Sequence, residues 1–146
     1  MFGTDFYAGF GHVIARTVHG RLYGWGDNKF GQVGQGTPSG QDKKVIRATR
    51  SFPKPVPITE ILEDKLVTSV ACGFNHTVAL TEEGEVYGWG FNKDGRVGCD
   101  SKEMVVDIPT KIRFPDSVRK IQAVACGRHF SMALSSDGNV SMFLYV

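Results

Sequence analysis

The sequence predicts an all-β protein built by repeating one unit, and three observations carry that prediction. Residues 9–34, GFGHVIARTVHGRLYGWGDNKFGQVG, align without gaps on residues 73–98, GFNHTVALTEEGEVYGWGFNKDGRVG, at an offset of 64; counted from Ala8 and Cys72, 15 of 27 positions are identical. Glycine contributes 18 of 146 residues, and 14 of the 18 fall on repeat positions, which makes the excess a structural device and not low complexity. The matched segments hold short β-type runs, such as HTVAL and EVYGWG, with turn residues between them. Self-similarity at such a period marks solenoids and propellers.

Taken in chain order, each unit opens on an apolar run ending in a small residue and glycine: VACG at 70–73 and again at 124–127. A hairpin follows, closed by TVHG, TEEG or SSDG in the three copies; a four-residue connection ending in glycine suits a last loop residue at positive φ. Gly24 and Gly26 flank Trp25, and Gly88 and Gly90 flank Trp89. Backbone without side chains lets neighbouring sheets approach closely there, with the tryptophan ring filling the space. DNKFGQVG and NKDGRVG read as a turn into another short strand, Asn28 and Asn92 satisfying turn backbone groups. PVPITEI and DIPTKI, then LVTSVACG and IQAVACG, add extended segments. About four strands per period is the content of one propeller blade.

The third copy, VACGRHFSMALSSDGNV at 124–140, matches 70–86 at an offset of 54, and the same offset pairs Pro55 with Pro109 and Ile58 with Ile112. Its likeness stops after Val140: where Tyr-Gly-Trp-Gly is expected the chain reads SMFLYV, and Phe130 stands at the position of His76, with His129 shifted by one. The expected organisation is a single partial repeat domain over 1–146: repeat 1 about 8–34, a basic insertion 35–54, repeat 2 about 55–98, and an incomplete repeat 3 about 109–146. The change of offset from 64 to 54 places ten extra residues between Gly34 and Pro55. That segment carries Lys43, Lys44, Arg47, Arg50 and Lys54 against Asp42 alone, and removing residues 41–54 takes the net charge from +2 to −2 (12 basic, 14 acidic). It reads either as a lengthened solvated loop or as an electrostatic contact for nucleic-acid phosphate or an acidic protein surface. Phe52 is its one aromatic residue, which gives base stacking little support.

The pattern V-A-C-G-x-x-H-T-x-A-L-T-x-x-G-x-V-Y-x-W-G-x-N-x-x-G-x-V-G resembles the repeat of the regulator of chromosome condensation family, best at 70–98, well at 8–34 and partially at 124–140. The resemblance implies seven-bladed β-propellers with roughly 50–60 residues per blade. About two and a half repeats form a partial arc, so further blades or other subunits are the expected partners. An arc exposes blade faces made for burial, and Val78, Leu80, Val86 and Tyr87 are the expected exposed residues. The resemblance also implies, as the alternative to a non-catalytic interaction or scaffold module, a fragment of a guanine-nucleotide exchange factor for a small GTPase, associated with chromatin.

Chemistry finds little purchase. Gly24-x-Gly26 has Lys29 where a dinucleotide fingerprint needs its third glycine, and no GxxxxGK[ST] is present. His12 and His76 recur at one repeat position, which points to hydrogen bonding within the scaffold, not to catalysis. Cys72 and Cys126 likewise share one position and read as small packed residues. With no Ser–His–acid spacing and no metal-ligand pattern, the expectation is no enzyme activity, no metal and no cofactor. No apolar run approaches the length of a membrane span, so no membrane insertion is expected. Three cysteines without a CxxC pair, and a start unlike a signal peptide, point to an intracellular, reducing compartment, with cytoplasm, nucleus and cytoskeleton all open.

Overall fold

The computed structural model describes residues 4–36 and 51–143. It is all-β, with three antiparallel sheets in sequence. The first orders β1 (Thr4–Ala8), β2 (His12–Thr17), β3 (Leu22–Asp27) and β4 (Ser51–Ile58) side by side. The second repeats this with β5 (Val67–Cys72), β6 (His76–Thr81), β7 (Val86–Phe91) and β8 (Val105–Ile112). The third holds β9 (Ile121–Cys126), β10 (Ser131–Ser135) and β11 (Val140–Phe143). These are successive blades of a partial propeller.

The β2–β3, β6–β7 and β10–β11 hairpins close alike. Gly20, Gly84 and Gly138 adopt φ of 72°, 84° and 86°. At the head of each turn a hydroxyl, Thr17, Thr81 or Ser135, accepts the amide four residues on at 3.2 Å. Of the two segments that the sequence suggests as strands directly after each tryptophan strand, only the second, PVPITEI or DIPTKI, joins the sheet. The segments ending in Val33 and Val97 form turns, not strands; Asn28 and Asn92 hold them by accepting the Val33 and Val97 amides at 3.1 and 3.2 Å. β4 and β8 complete the sheets, pairing with β3 and β7.

The glycines beside the tryptophans therefore admit their own blade's turn, not a neighbouring sheet. A Cβ on Gly88 would stand 2.5 Å from the Val97 carbonyl oxygen. β4 begins at Ser51, so Lys54 is an exposed strand residue. Its three prolines, 53, 55 and 57, alternate, which removes donors on one side of the strand and suits a sheet's outer edge.

Two cores lie between blades. Ile14, Leu22, Ile58 and Leu62 of the first blade meet Val70, Ala79, Tyr87 and Trp89 of the second. Val78, Leu80, Val86 and Ile112 of the second meet Ile121 and Ala133 of the third, with Phe143 packed alongside. Val78, Leu80, Val86 and Tyr87, expected on exposed faces, are thus the filling of the joints. The outward faces of the flanking blades do expose apolar residues: Phe6 on one side, 66% exposed, and Val140 and Met142 on the other, 64% and 56%. Phe143 takes the place of Trp89 in the third blade. It pairs with Ser131 as Trp89 pairs with Thr77, and it lies against Gly98 as Trp89 lies against Gly34.

Candidate interaction surface

Two buried latches give this surface its rigid base. His12 Nε2 lies 2.9 Å from Thr77 Oγ1 in the next blade, and His76 Nε2 lies 3.0 Å from Ser131 Oγ in the one after. Each hydroxyl spends its own hydrogen on a carbonyl of the earlier blade, Thr77 on Gln32 at 3.1 Å and Ser131 on Arg96 at 2.7 Å. The imidazoles must therefore donate from Nε2, leaving Nδ1 bare; both Nδ1 atoms are buried without a partner. Protonation would place a charged N–H in that unanswered site, and burial pushes both histidines down to about 4. Gly9 and Gly73 supply the clearance: a Cβ there would lie 2.5 and 2.4 Å from the respective Nδ1. An imidazole locked this way does not act as a base on an outside substrate.

The other scaffold residues divide between the joints and the blade interiors. Trp89 is fully buried and donates from Nε1 to the Gln32 carbonyl at 2.9 Å; Trp25, on the outward face of the first blade, is half-buried and meets Phe6 edge-on. Gly26 and Gly90 sit at φ of 96° and 106°, where the third strand slips register against the fourth. Burial also raises the thiols of Cys72 and Cys126, to about 12 and about 11, which leaves both inert near neutrality. Of the basic residues singled out in the insertion, Lys43, Lys44, Arg47 and Arg50 lie outside the described residues, and Lys54 alone can be placed, on β4.

Antiparallel pairing brings the loops 9–11, 28–36, 73–75 and 127–130 to one end of the blades, and here a patch of rings and cations forms. Phe10 stacks on Phe74 at 4.1 Å and 14° across the first joint. The Arg128 guanidinium covers the Phe74 ring at 4.8 Å, and the His129 ring lies 6.0 Å from it. Further out, Phe30 packs on Phe91 at 4.2 Å. Lys29 stands over Phe30 at 5.2 Å and Arg96 over Phe91 at 5.0 Å. Arg96 also reaches His129 Nδ1 at 2.8 Å, which ties the two groups together. Phe10 is 74% exposed, and Lys29, Arg128 and His129 are exposed. A shallow groove of about 310 Å³ runs along the inner loops beneath Phe10, Phe74 and Arg128 without an acidic side chain in its lining.

Sequence reasoning missed this patch. Its signal was positional: Phe10, Phe74 and Arg128 each follow the glycine that opens G-x-x-H or its equivalent, but they are not identical, and only the blade stacking makes them neighbours.

The fold and the repeat together decide the family. The model of the regulator of chromosome condensation (RCC1) repeat matches residues 19–80 and 83–134. The chain belongs to the RCC1 repeat family. Human Protein RCC2 is 36% identical over 132 residues, which cover 90% of this chain and 23% of that relative. The chain thus spans under a quarter of the length of such RCC1-repeat relatives. Among solved structures, human WBSCR16 superposes with a TM-score of 0.83 at 23% identity, covering 97% of this chain and 32% of that one. The structure of Prp20p from Saccharomyces cerevisiae, described together with its binding properties to Gsp1p and histones, has a TM-score of 0.73 at 25% identity, covering 94% of this chain and 32% of that one.

Proposed function

We propose that the chain is a non-catalytic protein-interaction module that makes its contact through the ring-and-cation patch at the loop end of the blades. The observation that carries this reading is Phe10: a large apolar ring, 74% exposed, held in one orientation by Phe74 and backed by latched joints. Rings fixed in this way lose little conformational freedom on binding, and aromatic residues with arginine are the side chains that dominate interface energetics. With Lys29, Arg128 and His129 around it, the patch suits a partner that offers acidic and apolar side chains together. The binding described for Prp20p supports the general idea of partner contact by such blades.

Site-specific photocrosslinking tests the reading. A photoreactive residue at position 10 is expected to capture a defined partner, whereas one at Val18, exposed at the opposite end of the sheet, is not. Equal capture at the two positions, or none at position 10, would overturn it. The second reading, stimulated nucleotide release from a small GTPase, rests on the family resemblance alone. The residues shared with the repeat pattern here belong to the blade scaffold, among them the glycines, the tryptophans and the histidines. Labelled-GDP release from a small GTPase is expected to proceed at its spontaneous rate in the presence of this chain, and a clear acceleration would reverse the ranking.

A further inference from the structure

The two internal joints share one latch, but the side chains beside it at the loop end differ in charge. At the first joint the Gln32 amide donates to Asp27 at 3.0 Å and to Asn75 at 3.5 Å. At the second, the repeat offsets put Arg96 in the place of Gln32, His129 in that of Asn75 and Arg128 in that of Phe74. Phe91 stands where the first joint has Asp27. Positions that build blades recur from copy to copy; here three neighbouring positions change together, all toward basic side chains. Lys93, matched by Lys29, adds a further cation. Partial loss of water, then Arg96, Arg128 and Lys93, push the His129 imidazole below the ordinary histidine range, while Asp94 opposes them.

Arg96 is fixed before anything binds. It is 4% exposed, and it donates to the Lys93 carbonyl at 2.7 Å, to Asp94 at 3.2 Å and to His129 Nδ1 at 2.8 Å. Because Nδ1 accepts from Arg96, the neutral His129 carries its hydrogen on Nε2. That donor, the Arg128 guanidinium lying on Phe74 and the Lys93 ammonium are exposed and make no hydrogen bond among the described residues. We infer that this corner receives a phosphoryl group carried on a side chain of the protein partner, so that phosphorylation of the partner controls docking. The inference rests on the partner reading above and adds its switch. A phosphate brings nearly two negative charges and several acceptor oxygens, which suits outward donors on three separate side chains beside a fixed arginine. A nucleic-acid strand asks instead for cations at successive phosphates, and the first joint offers Lys29 beside Asp27, Gln32 and Asn75. The footprint is one phosphate wide. Every residue of it belongs to the second joint, so it does not depend on what adjoins the first or third blade. Phe74 and Asn75, the matched residues of the blade flanked on both sides, remain half-exposed, and Arg128 and His129 keep comparable access beside a further blade.

Fluorescence anisotropy of the 146-residue chain tests this with synthetic peptide pools, degenerate around a fixed central phosphoserine, serine or aspartate. The phosphoserine pool is expected to bind at least about tenfold more tightly than either of the others. Arg128→Phe with His129→Asn gives the second joint the residues of the first. That variant is expected to keep its melting temperature and to lose the preference. Lys93→Ala, at an exposed turn residue, carries the same test independently and is expected to reduce the preference severalfold. Equal binding of the serine and phosphoserine pools would overturn the inference, as would a preference that survives both variants. So would an aspartate pool bound as tightly as the phosphoserine pool, or a single-stranded oligonucleotide bound more tightly than that pool at the same salt. The switch and the partner contact fail separately. Capture through position 10 that persists after phosphatase treatment of the lysate sinks the switch alone, and a phosphoserine preference with no capture at position 10 sinks the contact through Phe10 alone.

Discussion

Trp25 and Trp89 stand at the same point of the same motif, GWG, on equivalent third strands, yet only Trp89 is fully buried. Around them the contrast repeats. Phe6 is 66% exposed where Val70, its equivalent in the second blade, is 4% exposed, and Tyr23 is half-buried where Tyr87 is 2% exposed. Nothing in the local sequence separates the two sites. The difference is the presence of an earlier blade, whose Gln32 carbonyl and Gly34 backbone receive the Trp89 ring. In a repeat protein, burial is a property of the joint and not of the residue.

That comparison can be sharpened by substitutions at matched positions. Trp89→Ala is expected to cost about 3–5 kcal/mol, enough to unfold a domain of ordinary stability. Trp25→Ala in the same chain should cost much less while its face is uncovered. Equal losses in chemical denaturation would mean that the first blade's outer face is as well covered as the joint. Acid should act on the joints next. The folded histidines sit at about 4 against 6.5 when free, so the unfolded chain takes up protons that the folded chain refuses, and stability falls as pH drops below 6.5. Between pH 6.5 and 5 the two histidines together should remove about 3 kcal/mol. Glu85, held at about 2 chiefly by the hydrogen bond from Lys111 and then by that from Lys65, titrates below this range in the fold. A His12→Gln, His76→Gln variant should flatten the dependence, and an unchanged slope would show that the histidines are not its source.

A smaller loss, about 1–3 kcal/mol, is expected of His76→Ala, which strands a buried hydroxyl bond at the second joint. Val13→Thr, at the matched position on the first blade's outward face, should leave the melting temperature nearly unchanged. At the bottom of the scale, Lys54→Ala on the exposed edge strand should move it by no more than about 1–2 °C.

The repeat carried most of the fold into view before any coordinates did. Identity at fixed offsets revealed the units, and glycine at the hairpin ends revealed the positive-φ residues at Gly20, Gly84 and Gly138. What stayed hidden has a common cause. The extra strand expected at the segments ending in Val33 and Val97 is absent because the asparagine side chains that curl them into turns act across five positions, whereas PVPITEI and DIPTKI, read as extended, overlap β4 and β8. The exposed set was misassigned because Val78, Leu80, Val86 and Tyr87 sit in the second blade, the one covered on both sides. The continuation of the third blade was missed because Phe143 fills the site of Trp89 with a different residue. The patch escaped because Phe10, Phe74 and Arg128 are far apart in sequence, and an arginine stands in the third copy where the other two carry phenylalanine. Of the residues read as scaffold, His12, His76 and Trp89 lie at the joints, Trp25 faces outward, and the glycines beside the tryptophans admit their own blade's turns and loops, whereas four of the five basic insertion residues fall outside the described residues.

One carbonyl has a consequence for the order of assembly. Gln32 O, in the first blade's turn, accepts from both Thr77 Oγ1 and Trp89 Nε1 of the second. During synthesis, where the chain emerges amino end first, that acceptor exists before either donor has been made. Each completed turn is then a mould on which the next blade sets, and the arc grows in one direction from a template laid down earlier. Ribosome-held chains with residues 1–115 clear of the exit tunnel should protect Trp89 from quenchers, while chains beginning near residue 60 should leave it open to them.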